Sequence, residues 1–315
     1  MSLQASRTRS LFTWLPGKPE PPMPVVSVIL PTCDRPDLWP RALKSVLRQS
    51  WTDLEVVLVD SNRRTPRLRD TAAFALFQND ARVVLINRPH APSAAAARNT
   101  GLAVARGEWV TYLDDDDVYC VEKIERQYAL AQQSNAAIVL CGYTVVLPRR
   151  RRTRQVAENG FRGDKLLTAA NWGTPMLFHR RDPLARFDEA LRAGEDEVFA
   201  HAFLLRNQVT IVPNCPLSLI EVFPQVGQAR VHHGEAVWRA YQVNWHQVRR
   251  QYSRTALRQY LAMGRLVRAQ NCYGSATHFL RCARAALAIR GPGAWRLVAN
   301  ATAHRFGLLS KWAVS

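Results

Sequence analysis

At 315 residues with 47% hydrophobic side chains, the chain is long enough for one large domain or two modest ones around a sizeable core. Its net charge of +18 is unevenly spread: 14 of 43 Lys and Arg, but only Glu235 of 25 acids, fall after residue 229, which places +13 in the last 86 residues. The six scattered cysteines form no Cys-x-x-Cys pair, and no run is apolar enough for a bilayer span or a signal peptide, which argues against a zinc or disulfide scaffold and for a cytoplasmic protein.

Residues 1–24 are polar and proline-rich and read as a flexible leader. Val25 to Leu30 is a continuous apolar run, suited to a strand buried on both faces. Asp37 is placed to cap a helix whose apolar positions, Leu38 to Leu47, keep helical spacing. A second strand spans Leu54 to Val59, a weaker helix Arg67 to Phe77, and a third strand Val83 to Ile86. An alanine-rich helix with Arg98, Asn99 and Gly101 leads to a fourth strand at Trp109 to Leu113. Four strand–helix alternations in about 100 residues predict a parallel sheet with helices on both faces. Ligands of such sheets bind at the carboxyl ends of strands, where Thr32, Asp60 and Asp114 all fall.

The fourth strand runs straight into Asp114, Asp115, Asp116 and Asp117. Four adjacent carboxylates repel one another, and a divalent cation relieves them. Hard Mg²⁺ or Mn²⁺ takes one or two carboxylates and completes its shell with water and substrate phosphates. The plainer alternative is a solvated acidic turn in which Asp116 or Asp117 caps the next helix. Further on, the pattern predicts a helix from Val121 to Gln133 and a strand from Ala137 to Cys141. Arg149 to Arg154 reads as a basic hairpin tip or disordered loop, and Met176 to Phe178 as a short strand. An apolar helix at Val198 to Leu205 and strands at Val209 to Val212 and Leu217 to Val222 close the body, residues 25–229. Residues 230–315 form a basic helical region. Its earlier stripe, with Leu257 and Leu261, suits packing on the body. A last helix with Trp295 and Trp312 equally suits a membrane interface.

Taken in order, Val28-Ile29-Leu30-Pro31-Thr32, Leu58-Val59-Asp60, Ala97-Arg98-Asn99-Thr100-Gly101, Tyr112 to Asp117 and Gly194-Glu195-Asp196 resemble the family-2 glycosyltransferases. The resemblance covers Val25 to about Val222 and implies a GT-A fold, a Rossmann-like, mostly parallel sheet. It implies that Thr32 and Asp60 line the base and ribose pocket of a nucleotide-sugar, with Asp34 beside them, and that Arg98 contacts the nucleotide. Asp114 and Asp116 match the ends of an Asp-x-Asp motif that grips ribose and a diphosphate-bound metal, with Asp115 also in the donor site. Asp196 matches the general base of inverting members, with Glu195 beside it. The chain departs from the family at Asp60-Ser61-Asn62-Arg63 and at Cys33-Asp34, both in the nucleotide pocket. His232 or His233 could add a metal ligand, although a solvated histidine is the simpler expectation.

The resemblance therefore implies a metal-dependent inverting transferase using a nucleotide-sugar donor and a glycan or lipid-linked acceptor. The basic C-terminal region adds an expected attachment to the anionic inner face of a membrane, without a nucleic-acid partner. Two alternatives stand beside it. A nucleotidyl- or phosphotransferase would normally show a Gly-rich phosphate loop, and no Gly-x-x-x-x-Gly-Lys occurs here. A non-enzymatic nucleic-acid-binding protein would explain the basic end but not four acids that repel phosphate.

Overall fold

The computed structural model describes residues 23–63, 67–154, 160–170, 172–223 and 233–271. Most of the expected leader, His232 and the helix expected to carry Trp295 and Trp312 lie outside them.

The first half alternates as expected: β1 (Val26–Thr32), α1 (Trp39–Leu47), β2 (Leu54–Asp60), α2 (Ala72–Ala75), β3 (Val83–Asn87), α3 (Ala94–Val104) and β4 (Trp109–Tyr112). Then follow β5 (Val118–Tyr119), α4 (Lys123–Ser134), β6 (Ile138–Leu147), β7 (Arg150–Arg154), β8 (Phe161–Arg162) and α5 (Lys165–Thr168). The described chain continues through β9 (Phe178–Arg180), α6 (Glu195–Arg206), β10 (Ile211–Val212), β11 (Asn214–Val222), α7 (His233–Val248) and α8 (Arg254–Asn271).

The large sheet has the order β3-β2-β1-β4-β9-β6-β11-β5, with β7 added on β6. Strands β3, β2, β1 and β4 are parallel, and every residue of β1, β2 and β4 is buried. Aliphatic runs without polar alternation are what two covered faces require. Beyond β4 the sheet reverses: β9 is antiparallel to both β4 and β6, which makes β6 run in the same sense as β4. Helix α3 lies against β1 and β2. Gly101 permits that approach, since a Cβ there would stand 2.5 Å from Cγ2 of Ile29.

Several local expectations are corrected. Leu38, not Asp37, stands at the cap position of α1, and Pro40 in its first turn supplies the start signal instead. The expected helix over Arg67 to Phe77 is a 3₁₀ turn, Leu68–Asp70, followed by the four-residue α2. Neither Asp116 nor Asp117 caps a helix, because β5 intervenes before α4. Met176 ends a 3₁₀ turn, and the strand begins two residues later at Phe178. The basic run is part of a hairpin, as the tip reading expects for Arg149, which shares the turn with Pro148; the arginines that follow are not loop but strand, paired with β6.

Helices α7 and α8 pack on the body, as the Leu257 stripe predicts. Leu257 and Tyr260 are buried with Leu167 and Val248. Asp164 accepts hydrogen bonds from the backbone N–H (3.0 Å) and Oγ of Ser253.

Candidate active site

The carboxyl ends of β1, β2 and β4 open onto a cavity of about 340 Å³ lined by Thr32, Arg35, Ser61, Arg63, Ser93, Asp114, Asp115 and Arg192, among others. The amino end of α3 meets it, with the Ser93 hydroxyl accepting from the N–H of Ala96 at 3.2 Å. Amide donors and the positive end of a helix dipole favour an anion there, and Arg63 and Arg192 add charge.

Thr32 donates to Oδ2 of Asp115 at 2.7 Å, joining the ends of β1 and β4. Asp115 has no exposed side-chain surface, and Arg35 pairs with its other oxygen. Asp60 sits beneath the cavity wall. Its oxygens accept from the N–H groups of Asn62 and Leu68, both at 2.9 Å, and so shape the loop after β2. Asp34 takes a left-handed φ of 53°, tolerable for Asp, and holds Arg63 through the backbone N–H (2.9 Å) and Nε (3.2 Å). Both departures from the family pattern thus meet in one Asp34–Arg63 clasp at the cavity.

The acidic turn divides by exposure. Asp114 and Asp116 keep 31% and 22% of their side-chain surface, whereas Asp115 has none. Burial raises the pKa of Asp115 to about 6 against the pull of Arg35 and Thr32. Burial, with Asp114 and Asp116, takes Asp117 to about 8, and burial also raises Asp116. Asp116 pairs with Arg35 at 3.1 Å, and its carbonyl accepts from Arg41 at 2.6 Å.

Arg98 is the joint between two halves of the site. Nearly buried, it pairs with Asp114 at 2.6 Å and with Glu195 at 2.9 Å. Burial alone would lower its pKa, but the charges of Asp114 and Glu195 outweigh burial and raise it, so it remains a cation. Glu195 and Asp196 open α6. The helix starts at Gly194, which has φ of 73° and would bring a Cβ to 2.8 Å from that of Ala240 in α7. Asp196 is half-buried, and burial together with Glu195 raises its pKa to about 7. A carboxylate that titrates near neutrality suits proton abstraction.

Asn99, next to Arg98 in the same motif, has a structural part. Its Nδ2 donates to the carbonyl of Phe187 and to Oε1 of Glu189, both at 2.9 Å, and its Oδ1 accepts from the N–H of Phe187 at 2.8 Å. Asn99 therefore clips the approach to α6 onto α3. Arg35 was missed altogether. Its partners lie about 80 positions away, so only the fold reveals it.

Among the described residues no three His, Cys, Asp or Glu side chains form a closed metal-binding group. The donor set nevertheless fits a hard cation shared with a ligand. Asp114 and Asp116 are partly exposed oxygen donors in a turn where burial, and then the neighbouring acids, raise the pKa of Asp117.

The family described as Glycosyl transferase family 2 matches residues 27–191. The UDP-Glc:α-D-GlcNAc-diphosphoundecaprenol β-1,3-glucosyltransferase WfgD of Escherichia coli is 26% identical over 61% of this chain and 74% of its own. The succinoglycan biosynthesis protein ExoO of Rhizobium meliloti is 30% identical over 56% of this chain and 54% of its own. Among solved structures, S. aureus TarS 1-349 in complex with UDP superposes with a TM-score of 0.61 at 15% identity, covering 91% of both chains. The mannosyltransferase PcManGT from Pyrobaculum calidifontis, in complex with GDP-Man and Mn²⁺, gives 0.58 at 18% identity over 93% of this chain and 88% of its own. These likenesses bear out the expected GT-A fold.

Asn99→Asp removes both donations and sets a carboxylate beside Glu189. It should lower stability in urea unfolding by about 1–3 kcal/mol, the range for an unsatisfied buried polar group. A change under ~0.5 kcal/mol would mean that Asn99 does not hold the approach to α6.

Proposed function

The chain belongs to glycosyl transferase family 2, and on that premise we propose that it moves a sugar from a nucleotide-diphosphate sugar to an acceptor hydroxyl with inversion, in the synthesis of a cell-surface glycan or glycolipid. One observation carries the proposal: Arg98 ties Asp114, at the end of β4, to Glu195, next to Asp196 in α6. Leaving-group machinery and base candidate thus share one rim.

In this account the cavity between β1, β2 and α3 holds the nucleotide. Thr32 and Asp115 form its floor, Asp60 shapes its wall from beneath, and the Asp34–Arg63 clasp borders it. Arg63, Arg192 and the amino end of α3 face the phosphates. Asp114 and Asp116 would hold Mg²⁺ or Mn²⁺, which when bound supplies Lewis-acid neutralisation of the leaving diphosphate. Asp196 accepts the proton of the acceptor hydroxyl as its oxygen bonds to the anomeric carbon. The bond from that carbon to the diphosphate breaks, and its electron pair leaves with the phosphate oxygen. One displacement with one base inverts the anomeric configuration. Arg98, fixed as a cation, offsets the acids on both sides.

The +13 carried after residue 229 would hold the enzyme on the anionic inner face of a membrane as a peripheral protein. Each Lys or Arg near such a leaflet contributes about 1 kcal/mol. Among the described residues no helix is long and apolar enough to cross a bilayer. WfgD, whose name gives a diphosphoundecaprenol-linked acceptor, supports a substrate waiting at that surface.

Asp116→Asn keeps the shape of the turn and removes one charge. Titration calorimetry with UDP- and GDP-sugars should show Mn²⁺-dependent binding to the native chain and its loss in the variant, and unchanged metal dependence would rule out Asp116 as a ligand. Asp196→Asn should bind donor normally and transfer about 10²–10⁴-fold more slowly. A raised carboxylate pKa means that the base is protonated in acid, so transfer by the native enzyme should rise with pH through about 7. The variant should lack that limb; a retained limb would move the base elsewhere. Co-sedimentation with phosphatidylglycerol vesicles should occur at low salt and fade as salt rises; binding to neutral vesicles alone would contradict the electrostatic attachment.

A further inference from the structure

We infer that Arg41 is a positioning residue for the divalent cation: it fixes the backbone between Asp114 and Asp116 and so the placement of both carboxylates. The inference rests on the reading of those two carboxylates as metal donors and adds the group that holds them in place.

A peptide unit is planar, so groups that hold both of its ends fix its orientation. The unit between Asp116 and Asp117 is held in this way. Its carbonyl accepts from Nη2 of Arg41 at 2.6 Å, and its N–H donates to the carbonyl of Asp114 at 3.1 Å. The second bond closes the turn from one candidate ligand to the other. The first ties that turn to α1, a helix packed into the core through Trp39, Ala42 and Leu43. A side chain leaves a fixed backbone in one of a few rotamers, so holding this unit limits where the Asp116 carboxylate stands.

Arg41 is itself held. Its guanidinium lies 4.0 Å from the centre of the Phe223 ring. Phe223 follows β11, and its N–H donates to Oδ1 of Asp117 at 3.2 Å. Val118 pairs with Glu221 and Tyr119 with Ile220, antiparallel, and the same register brings Phe223 level with Asp116. Arg41, Phe223, Asp117 and the Asp116 carbonyl thus close a ring through α1, β11 and the acidic turn. A solvated surface arginine is the plain alternative, and two observations oppose it. Arg41 stands in the first turn of α1, where the helix dipole disfavours a cation. Its guanidinium also has a ring to stack on and a short hydrogen bond to a carbonyl, a pair of contacts that suits its planar fork.

The experiment measures Mn²⁺ binding to the intact chain at saturating UDP, from the electron paramagnetic resonance signal of the free ion. R41A should bind Mn²⁺ at least about fivefold more weakly than the native chain, as expected for losing one charge-assisted hydrogen bond. R41K keeps the charge and a donor but not the planar fork, and should fall between the two. K44A removes an exposed cation one turn further along α1 and should match the native chain within about twofold, since solvent and salt screen it. The sign separates positioning from charge: Coulomb's law alone makes loss of a nearby cation tighten Mn²⁺ binding, whereas loss of the grip weakens it. Metal-free UDP binding should be equal in all four chains. An R41A chain that binds Mn²⁺ as the native one does, or more tightly, overturns the inference. So does an equal weakening by K44A, or a parallel loss of metal-free UDP binding in R41A. D116N tests the underlying reading separately. If D116N binds Mn²⁺ normally, or the native chain binds none, the metal reading fails and the inference with it. If D116N loses Mn²⁺ and R41A does not, only the positioning role is refuted.

Discussion

A single buried guanidinium ties the acidic turn after β4 to the start of α6. Arg98 projects from α3 between Asp114, after β4, and Glu195, at the start of α6, elements far apart in the chain. Removing Arg98 would leave Asp114 and Glu195 without their shared cation. The rest of the site depends on where that guanidinium stands. Helix α3 must lie close against β1, which Gly101 allows at Ile29, and α6 must begin in a left-handed turn, which Gly194 supplies. Asn99 then clips Phe187 and Glu189, so the loop before α6 arrives at a fixed place.

The second arginine plays the corresponding part on the opposite side. Arg35 pairs with Asp115 and Asp116, and Thr32 donates to Asp115. Asp115 is thereby committed to the floor, and the acids with exposed surface on either side of it, Asp114 and Asp116, remain the ones that a ligand can recruit. Two guanidiniums pair with three of the four consecutive carboxylates, and burial, with the neighbouring acids, raises the pKa of the fourth, Asp117. The bond between Asp115 and Thr32 keeps β1 and β4 joined independently of those arginine contacts.

The parallel half of the fold was legible because strands covered on both faces must be apolar throughout. Val26–Thr32 and Leu54–Asp60 therefore stood out within a residue or two of their limits. Two-residue strands such as β5 and β8 carry no periodicity and appear only when the sheet closes. Charge alone marks the arginine run at 149–154 as a hairpin tip or loop, and backbone pairing to β6 decides that all but Arg149 lie in a strand. Thr32, Asp114 and Asp115 line one cavity, but the motifs do not show that Asp60 lies beneath its wall. Lys123 shows a different limit. It is fully buried, donates to Thr111 at 2.6 Å and lies over the Tyr119 ring, with its pKa brought down to about 7 by burial. Nothing in its helical neighbourhood marks it as interior.

The claim that Arg98 is energetically coupled to the acidic turn is tested most directly by a double-mutant cycle in urea unfolding. Arg98→Gln and Asp114→Asn are measured singly and together. The predicted result is a coupling of about 0.5–3 kcal/mol, with the double variant less destabilised than the sum of the two single ones. Additivity within ~0.5 kcal/mol would mean that the contact in the structure carries no energy and would contradict the account.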